Sequence, residues 1–277
     1  MSRLRDITRN RRAHDRVARV YDTRHDDIFN DVEQERLAAA AREAVATVRG
    51  VSRGGMRALD VGAGTGNLTR HLLAGGARVT AADLSAGCLA VVRERFGETG
   101  RVETALLDGL GLTEFDDATF DLAACYSVLH HVPDYLALVR EMGRVVRRGG
   151  VVFLDHERHD ASWLPNAERD AFLREAVTWP AKTWRRFVRP ASYWRRLCRA
   201  LEWRRWFDRR WMPEGDLHIW PDDHIEWTKV ESALAAVGVR TVVSRDYLLY
   251  EPRYRRDAWE RWKGRLTDYR MWIGEKT

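Results

Sequence analysis

The sequence predicts an α/β fold with a doubly wound, mostly parallel sheet, an antiparallel pair of edge strands and a helical insertion. Short apolar runs alternate with amphipathic stretches from residue 56 to 157, as is typical of a parallel sheet covered by helices on both faces. A glycine-rich turn directly follows the first apolar run. The alternation stops at residue 158 and resumes near residue 222, which indicates an insertion.

The first 55 residues precede the alternating region and are predicted to form helices and a lid. Residues 1–30 are charged and favour one or two short helices, whereas residues 32–48 carry apolar side chains near a 3.6-residue period. Within residues 56–157, strands are predicted at 58–61, 78–82, 102–106, 120–125 and 151–154. Helices are predicted after the first, second and fourth of these strands, the last of them opening at Pro133-Asp134.

Residues 222–250 are predicted to complete this core. A helix stripe ends at Gly238, and residues 239–243 and 247–250 favour two closing antiparallel strands. Residues 251–277 are predicted to form a terminal helix, because Trp259 and Trp262 are spaced as on one helix face.

The insertion, residues 158–221, is predicted to be a helical cap rich in tryptophan and arginine. Residues 158–216 hold 14 basic against 8 acidic side chains and 7 of the 12 tryptophans, and this excess equals the net charge of +6 of the whole chain. This clustering of tryptophan and arginine is explained by tryptophans packed inside the cap and arginines exposed to water. The alternative is a groove that binds nucleic acid. Two arginine pairs are predicted to hold an anionic acceptor: Arg185 with Arg186, and Arg195 with Arg196.

The glycine-rich turn carries the main functional signal. Gly62, Gly64 and Gly66 follow the first strand, where the backbone turns sharply and approaches a ligand without an intervening Cβ. Asp83 ends the second strand, where a carboxylate can accept both hydroxyls of a ribose. Asp108 follows the third strand and is placed to accept from an adenine amino group.

With these residues in register, the sequence resembles the class I methyltransferases that use S-adenosylmethionine (SAM), especially the ubiquinone/menaquinone-biosynthesis type. The matching segments are residues 17–22, 59–67, 82–85, 107–109, 120–134 and 146–150. The resemblance implies SAM as cofactor, S-adenosylhomocysteine as product, and cofactor contacts at Tyr21, Asp60, Gly62, Gly64, Asp83, Leu84, Asp108, Gly109 and Tyr126.

The expected reaction is in-line methyl transfer to a small-molecule acceptor, with His156 or His131 as a general base near neutral pH. Both histidines follow strand ends, and helix capping is the alternative explanation for them. No metal dependence is expected, and an RNA-modifying methyltransferase or a non-catalytic SAM-binding protein are the other functions considered. The acceptor, the methylated atom and the oligomeric state stay open. A cytoplasmic protein is predicted from three features of the sequence. The three cysteines lack metal-ligand spacing, no apolar run is long enough to cross a bilayer, and the N-terminus does not resemble a signal peptide.

Overall fold

The computed structural model describes residues 3–51, 54–177, 218 and 225–277. Across these residues, seven strands form one sheet in the order β3-β2-β1-β4-β5-β7-β6. The strands are β1 (Arg57–Val61), β2 (Arg78–Asp83), β3 (Val102–Leu106), β4 (Phe120–Tyr126), β5 (Val146–Arg158), β6 (Val239–Tyr247) and β7 (Tyr269–Lys276). The helices are α1 (Arg3–Val17), α2 (Asp31–Thr47), α3 (Asn67–Ala74), α4 (Ala86–Phe96), α5 (Tyr135–Val145), α6 (Ala167–Ala176), α7 (Trp227–Ala235) and α8 (Arg256–Trp262).

The first five strands are parallel, and β7 runs antiparallel to both of its neighbours, β5 and β6. The predicted fold class, including the antiparallel edge pair, is therefore confirmed. The chain proceeds from β1 outward to β3 and then returns to β4 on the other side of β1. Open α/β sheets bind ligands at such a switch point, beyond the carboxyl ends of the strands.

Apolar layers cover both faces of the sheet. On one face, α5 and α7 pack onto the strands through Val139 and Trp227, both fully buried. On the other face, α2 and α3 do so through Leu37 and Leu72. Burying one such side chain stabilises the fold by about 1.5–3 kcal/mol, so the two layers fix the strand ends that form the site.

Polar side chains start the helices that flank the site. The side chain of Asn30 accepts the backbone N–H of Glu33 at the start of α2, and Ser85 accepts that of Cys88 at the start of α4. The carboxylate of Asp134 caps α5, which confirms the predicted opening of this helix.

The predicted C-terminal helix is wrong. After Trp262 the chain leaves α8 and forms β7, which lies between β5 and β6. Its segment Met271 to Ile273 is buried on both faces, and a short continuous apolar run of this kind looks the same in a buried strand and a buried helix. The second closing strand is therefore β7, since β6 ends at Tyr247 and residues 248–250 are not a strand.

The insertion departs from β5 and returns at α7, and its two ends meet. The indole Nε1 of Trp227 donates to the carbonyl of Arg158 at 3.0 Å, and the backbone N–H of Trp227 donates to Asp160 at 3.0 Å. Of the cap, the described residues include α6, whose Phe172 packs on Tyr254 beside α8. The limits of the cap stay a prediction, because residues 178–217 and 219–224 lie outside the described ranges. Every helix within the described ranges is too short or too polar to cross a bilayer.

Candidate active site

The glycine-rich loop connects β1 to α3, and all three of its glycines have a positive φ. The angles are +68° at Gly62, +52° at Gly64 and +92° at Gly66. An added Cβ would lie 2.6 Å from the Val128 side chain at Gly62 and 2.5 Å from Phe96 at Gly66, whereas nothing lies within 4 Å of one at Gly64. The loop is therefore packed against protein at its two ends and open at its centre.

Asp83, at the end of β2, faces this loop. One of its carboxylate oxygens accepts the backbone N–H of Gly64 at 2.9 Å, and the other accepts that of Ser85 at 2.7 Å. Burial raises the pKa of the Asp83 carboxyl. The residue that the sequence predicted to bind ribose thus lies directly beside the open part of the glycine loop.

The loop and Asp83 form one wall of a cleft of ≈1210 Å³, its open mouth included. Eight of the predicted residues line it: Tyr21, Gly62, Gly64, Asp83, Leu84, Gly109, Tyr126 and His131. Residues from four different strand ends and from the N-terminal segment therefore meet at one site.

At one end of the cleft, Ile7 of α1 and Leu84 pack against Gly109 in the turn after β3. Gly109 has a φ of +84°, and an added Cβ there would lie 2.7 Å from Ile7 and 2.9 Å from Leu84. Asp108, predicted to meet an adenine amino group, is instead exposed and outside the cleft lining, and its carboxylate accepts the backbone N–H of Leu110 at 2.7 Å.

The N-terminal segment forms the wall opposite the glycine loop. Ile7, Asn10 and His14 of α1 line the cleft, and they were not predicted from the sequence because they lie in a charged stretch without a motif. Predicted Tyr21 lines it too, with its ring 4.1 Å from that of His25.

Two aspartates fasten this N-terminal wall to the core. Asp15 accepts the Ser85 hydroxyl at 2.6 Å, at the start of α4. Asp22 accepts the Thr65 hydroxyl of the glycine loop at 2.6 Å and pairs with Arg95 at 2.7 Å. The N-terminal segment is thus bonded to the same two turns that form the opposite wall.

Asp60 lies beneath the glycine loop and is buried outside the cleft lining. Its carboxylate accepts the hydroxyl of Thr69 in α3 at 2.6 Å. Burial raises the pKa of Asp60 to about 7, and the nearby carboxylate of Asp83 adds to this shift. Asp60, predicted as a cofactor contact, therefore lies under the loop and outside the cleft lining.

The predicted position of His156 on the ligand-binding rim is wrong. His156 is 3% exposed, has a φ of +62° and lies behind Tyr126, outside the cleft lining. The Tyr126 hydroxyl is 2.9 Å from His156 Nδ1 and donates to Glu33 at 2.8 Å. Since the hydroxyl has one proton, His156 must donate to the tyrosine oxygen through Nδ1. In this geometry His156 positions the Tyr126 hydroxyl. It does not lie where it could remove a proton from an acceptor in the cleft.

Buried charges hold this pair in place. Arg36 makes a salt bridge with Glu33 at 2.6 Å and another with Asp155 at 2.9 Å. Burial opposes ionisation of Glu33, but Arg36 and His156 outweigh it and lower the pKa of Glu33 to about 2. Glu33 is therefore ionised at neutral pH and orients the Tyr126 hydroxyl. This network was not predicted, because α2 gives no motif that would point to it.

His131 lines the cleft near Tyr126 and belongs to a group of histidines. Its ring centroid is 4.2 Å from that of His130 and 4.5 Å from that of His218. His14 of α1 lies 5.4 Å away on another side. The predicted acceptor-binding arginines at positions 185, 186, 195 and 196 lie outside the described residues.

Comparison with known proteins supports the same domain. Residues 59–154 match the family model described as a methyltransferase domain. The ubiquinone biosynthesis O-methyltransferase of Alkalilimnicola ehrlichii is 33% identical over 141 residues, which make up 50% of this chain and 57% of that protein. The chain thus spans little more than half the length of this curated relative.

Solved structures share the fold. A chain in the complex of the Haloferax volcanii Trm112 methyltransferase activator with a methyltransferase has a TM-score of 0.56 and 15% identity, over 95% of this chain and 97% of that one. The geranyl diphosphate C-methyltransferase of Streptomyces coelicolor A3(2) has a TM-score of 0.52 and 13% identity, over 90% and 83%. At these identities the likeness concerns the fold alone.

The sheet order and the glycine loop thus occur in a chain whose residues 59–154 match a methyltransferase domain. Its curated relatives include methyltransferases of ubiquinone biosynthesis, in agreement with the resemblance in the sequence.

Proposed function

We propose that this chain binds SAM in the cleft and transfers its methyl group to a small-molecule acceptor. The observation that carries this proposal is the pairing of Gly64 with Asp83: an open stretch of backbone lies 2.9 Å from a half-buried carboxylate at the switch point of the sheet. A ligand that fits there needs hydroxyl donors for the carboxylate and a flat or extended part that passes close to the backbone. A nucleoside bearing an amino-acid tail has both.

In this arrangement the ribose hydroxyls bond to Asp83, and each hydrogen bond to the charged group contributes about 1.5–3 kcal/mol. The adenine lies at the end of the cleft that is lined by Ile7, Leu84 and Gly109. The methionine portion passes Gly62 and Gly64 towards Tyr126, so the methyl group is presented near the carboxyl end of β4.

The transfer is an in-line displacement. A lone pair of the acceptor forms a bond to the methyl carbon while the bond from that carbon to sulfur breaks, and the sulfonium becomes the thioether of S-adenosylhomocysteine. Alignment of the two reactants lowers the barrier by about 7–11 kcal/mol. His131 lines the cleft and is the better-placed of the two predicted bases, with an expected contribution of about 10²–10⁴-fold where the acceptor must lose a proton.

The acceptor is proposed to be a small molecule with an anionic group, held by arginines of the cap. The charge excess of residues 158–216 supports an anion, and the names of the relatives include both an O-methyltransferase and a C-methyltransferase. The methylated atom is therefore left open within this proposal.

The first experiment measures SAM affinity by calorimetry. Asp83→Ala should weaken SAM binding at least tenfold, because the ribose loses its acceptor, while Asp116→Ala, an exposed carboxylate outside the cleft, should not change it. Thermal unfolding of both variants establishes that they fold. Unchanged binding in folded Asp83→Ala would contradict the proposed cofactor site.

The second experiment identifies the acceptor. The enzyme is incubated with isotope-labelled SAM and a metabolite extract, with and without nuclease treatment, and the labelled product is analysed by mass spectrometry. Label in a small molecule that resists nuclease is the expected result. Label that is lost after nuclease treatment would replace the small-molecule acceptor with a nucleic acid.

A further inference from the structure

Three histidines from two distant parts of the chain converge beside the cleft, and one of them, His131, lines it. His130 and His131 lie in the turn that follows β4, and His218 belongs to the cap. One ligand nitrogen from each lies within 4.8 Å of the other two. The ring centroids of His130 and His218 are 4.9 Å apart.

A buried carboxylate orients one of these rings. Glu157 is 1% exposed, and one of its oxygens is 2.9 Å from Nδ1 of His130. Its other oxygen accepts the backbone N–H groups of Val128 and Leu129 at 2.7 and 2.6 Å, which fixes the carboxylate itself. Since Nδ1 of His130 is engaged, Nε2 is the atom that this ring presents. Metal-binding histidines are commonly held by a carboxylate in this way.

We propose that His130, His131 and His218 bind a divalent transition metal ion, with zinc as the best fit. Imidazole nitrogens suit zinc, nickel and copper, whereas magnesium and calcium need oxygen ligands. At zinc–nitrogen distances of about 2.0–2.1 Å, two nitrogens of a tetrahedral site are about 3.3 Å apart, so the rings must approach by no more than about 1.5 Å. Side-chain rotation alone provides a movement of this size.

Three protein ligands leave one coordination position open, as in catalytic zinc sites. His131 lines the cleft, so the open position lies next to the space where the acceptor must enter. With the metal bound, His131 is a ligand in place of a general base: an acceptor hydroxyl at the open position has a lowered pKa and loses its proton to solvent. The oxygen lone pair then bonds to the methyl carbon as the methyl–sulfur bond breaks and its electron pair moves to sulfur. This role rests on the proposed methyl transfer, whereas the metal site does not.

The metal site is tested with zinc alone. The protein, made without a polyhistidine tag and treated with chelator, is titrated with zinc chloride by calorimetry, and cobalt(II) is added in parallel to record its visible absorption. One zinc per chain is expected. His131→Ala and His218→Ala should each weaken zinc binding at least tenfold and reduce the cobalt absorption, whereas His71→Ala, on α3 outside the cleft, should change neither.

Glu157→Gln provides a second test, because glutamine retains an oxygen for the two backbone N–H groups and removes the charge that orients His130. Zinc binding should weaken by about 10–100-fold. Zinc binding that is absent from the wild type, or equal in the wild type and His218→Ala, would overturn the proposed site. SAM titrations on the same samples distinguish the two proposals: SAM binding without zinc binding refutes the metal site alone, and the reverse refutes the cofactor site alone.

Discussion

Replacing Gly64 with alanine would place a methyl group in the cleft beside Asp83. The φ of +52° costs an alanine about 1–2 kcal/mol of folding stability. No packing cost adds to this, since nothing lies within 4 Å of the new Cβ. The free protein should therefore fold. The same methyl group occupies the space in which SAM must approach the backbone, so SAM affinity should fall at least tenfold, which is about 1.4 kcal/mol.

Gly62→Ala should behave differently, although it lies only two residues away. Its φ of +68° carries a similar strain, and its Cβ would also lie 2.6 Å from Val128. Overpacking adds about 1–3 kcal/mol, so this variant should lose about 2–5 kcal/mol of stability in total.

Urea unfolding and SAM calorimetry measure the two effects separately. Gly100→Ala is the matched control, because its φ of +64° and its open surroundings reproduce the strain of Gly64→Ala outside the cleft. Two results would contradict the proposed path of SAM past Gly64: wild-type SAM affinity in Gly64→Ala, or an equal loss of SAM affinity in Gly100→Ala.

Three further predictions follow from the same site. Burial raises the pKa of Asp60 to about 7, so its contribution to stability is present at low pH and is lost as the pH rises through 7. Relative to Asp60→Asn, the wild type should lose about 2–3 kcal/mol of unfolding free energy between pH 5 and pH 8, and equal pH profiles in urea unfolding would contradict this. Hydrogen exchange in residues 14–30 should slow when SAM or S-adenosylhomocysteine binds. The variant Asp22→Ala removes the hydrogen bond from Thr65 and should reduce this slowing. An exchange rate in the wild type that is the same with and without ligand would contradict the predicted lid. The KM of the acceptor should depend weakly on salt concentration, as expected for one or two charges. For a nucleic acid, each neutralised phosphate would instead add about 0.7–0.9 to the slope of the logarithm of affinity against the logarithm of salt concentration.

The core and the cofactor end of the site were predictable because their signals are local. A short apolar run followed by glycines specifies β1 and the turn into α3, and a strand-ending aspartate marks the end of β2. Gly64 and Asp83 then meet because parallel strands end at the same edge of the sheet.

The remaining features depend on long-range packing. β7 was mistaken for a helix because Met271 to Ile273 are buried on both faces and show no alternation. His156 was placed on the rim because β5 ends near it, yet Tyr126 of the neighbouring strand covers it. The approach of His218 to His131 could not be inferred, since 86 residues separate the two and no motif connects them.

The closed base of the insertion has a consequence for the evolution of this protein. Because Trp227 is bonded to Arg158 where β5 ends, residues of the core hold the two ends of the insertion together. A segment anchored in this way can lengthen, shorten or be replaced over generations while the β1–β2 cleft wall is inherited unchanged. New acceptors would then arise by diversification of the cap, and related enzymes should differ most between residues 178 and 224.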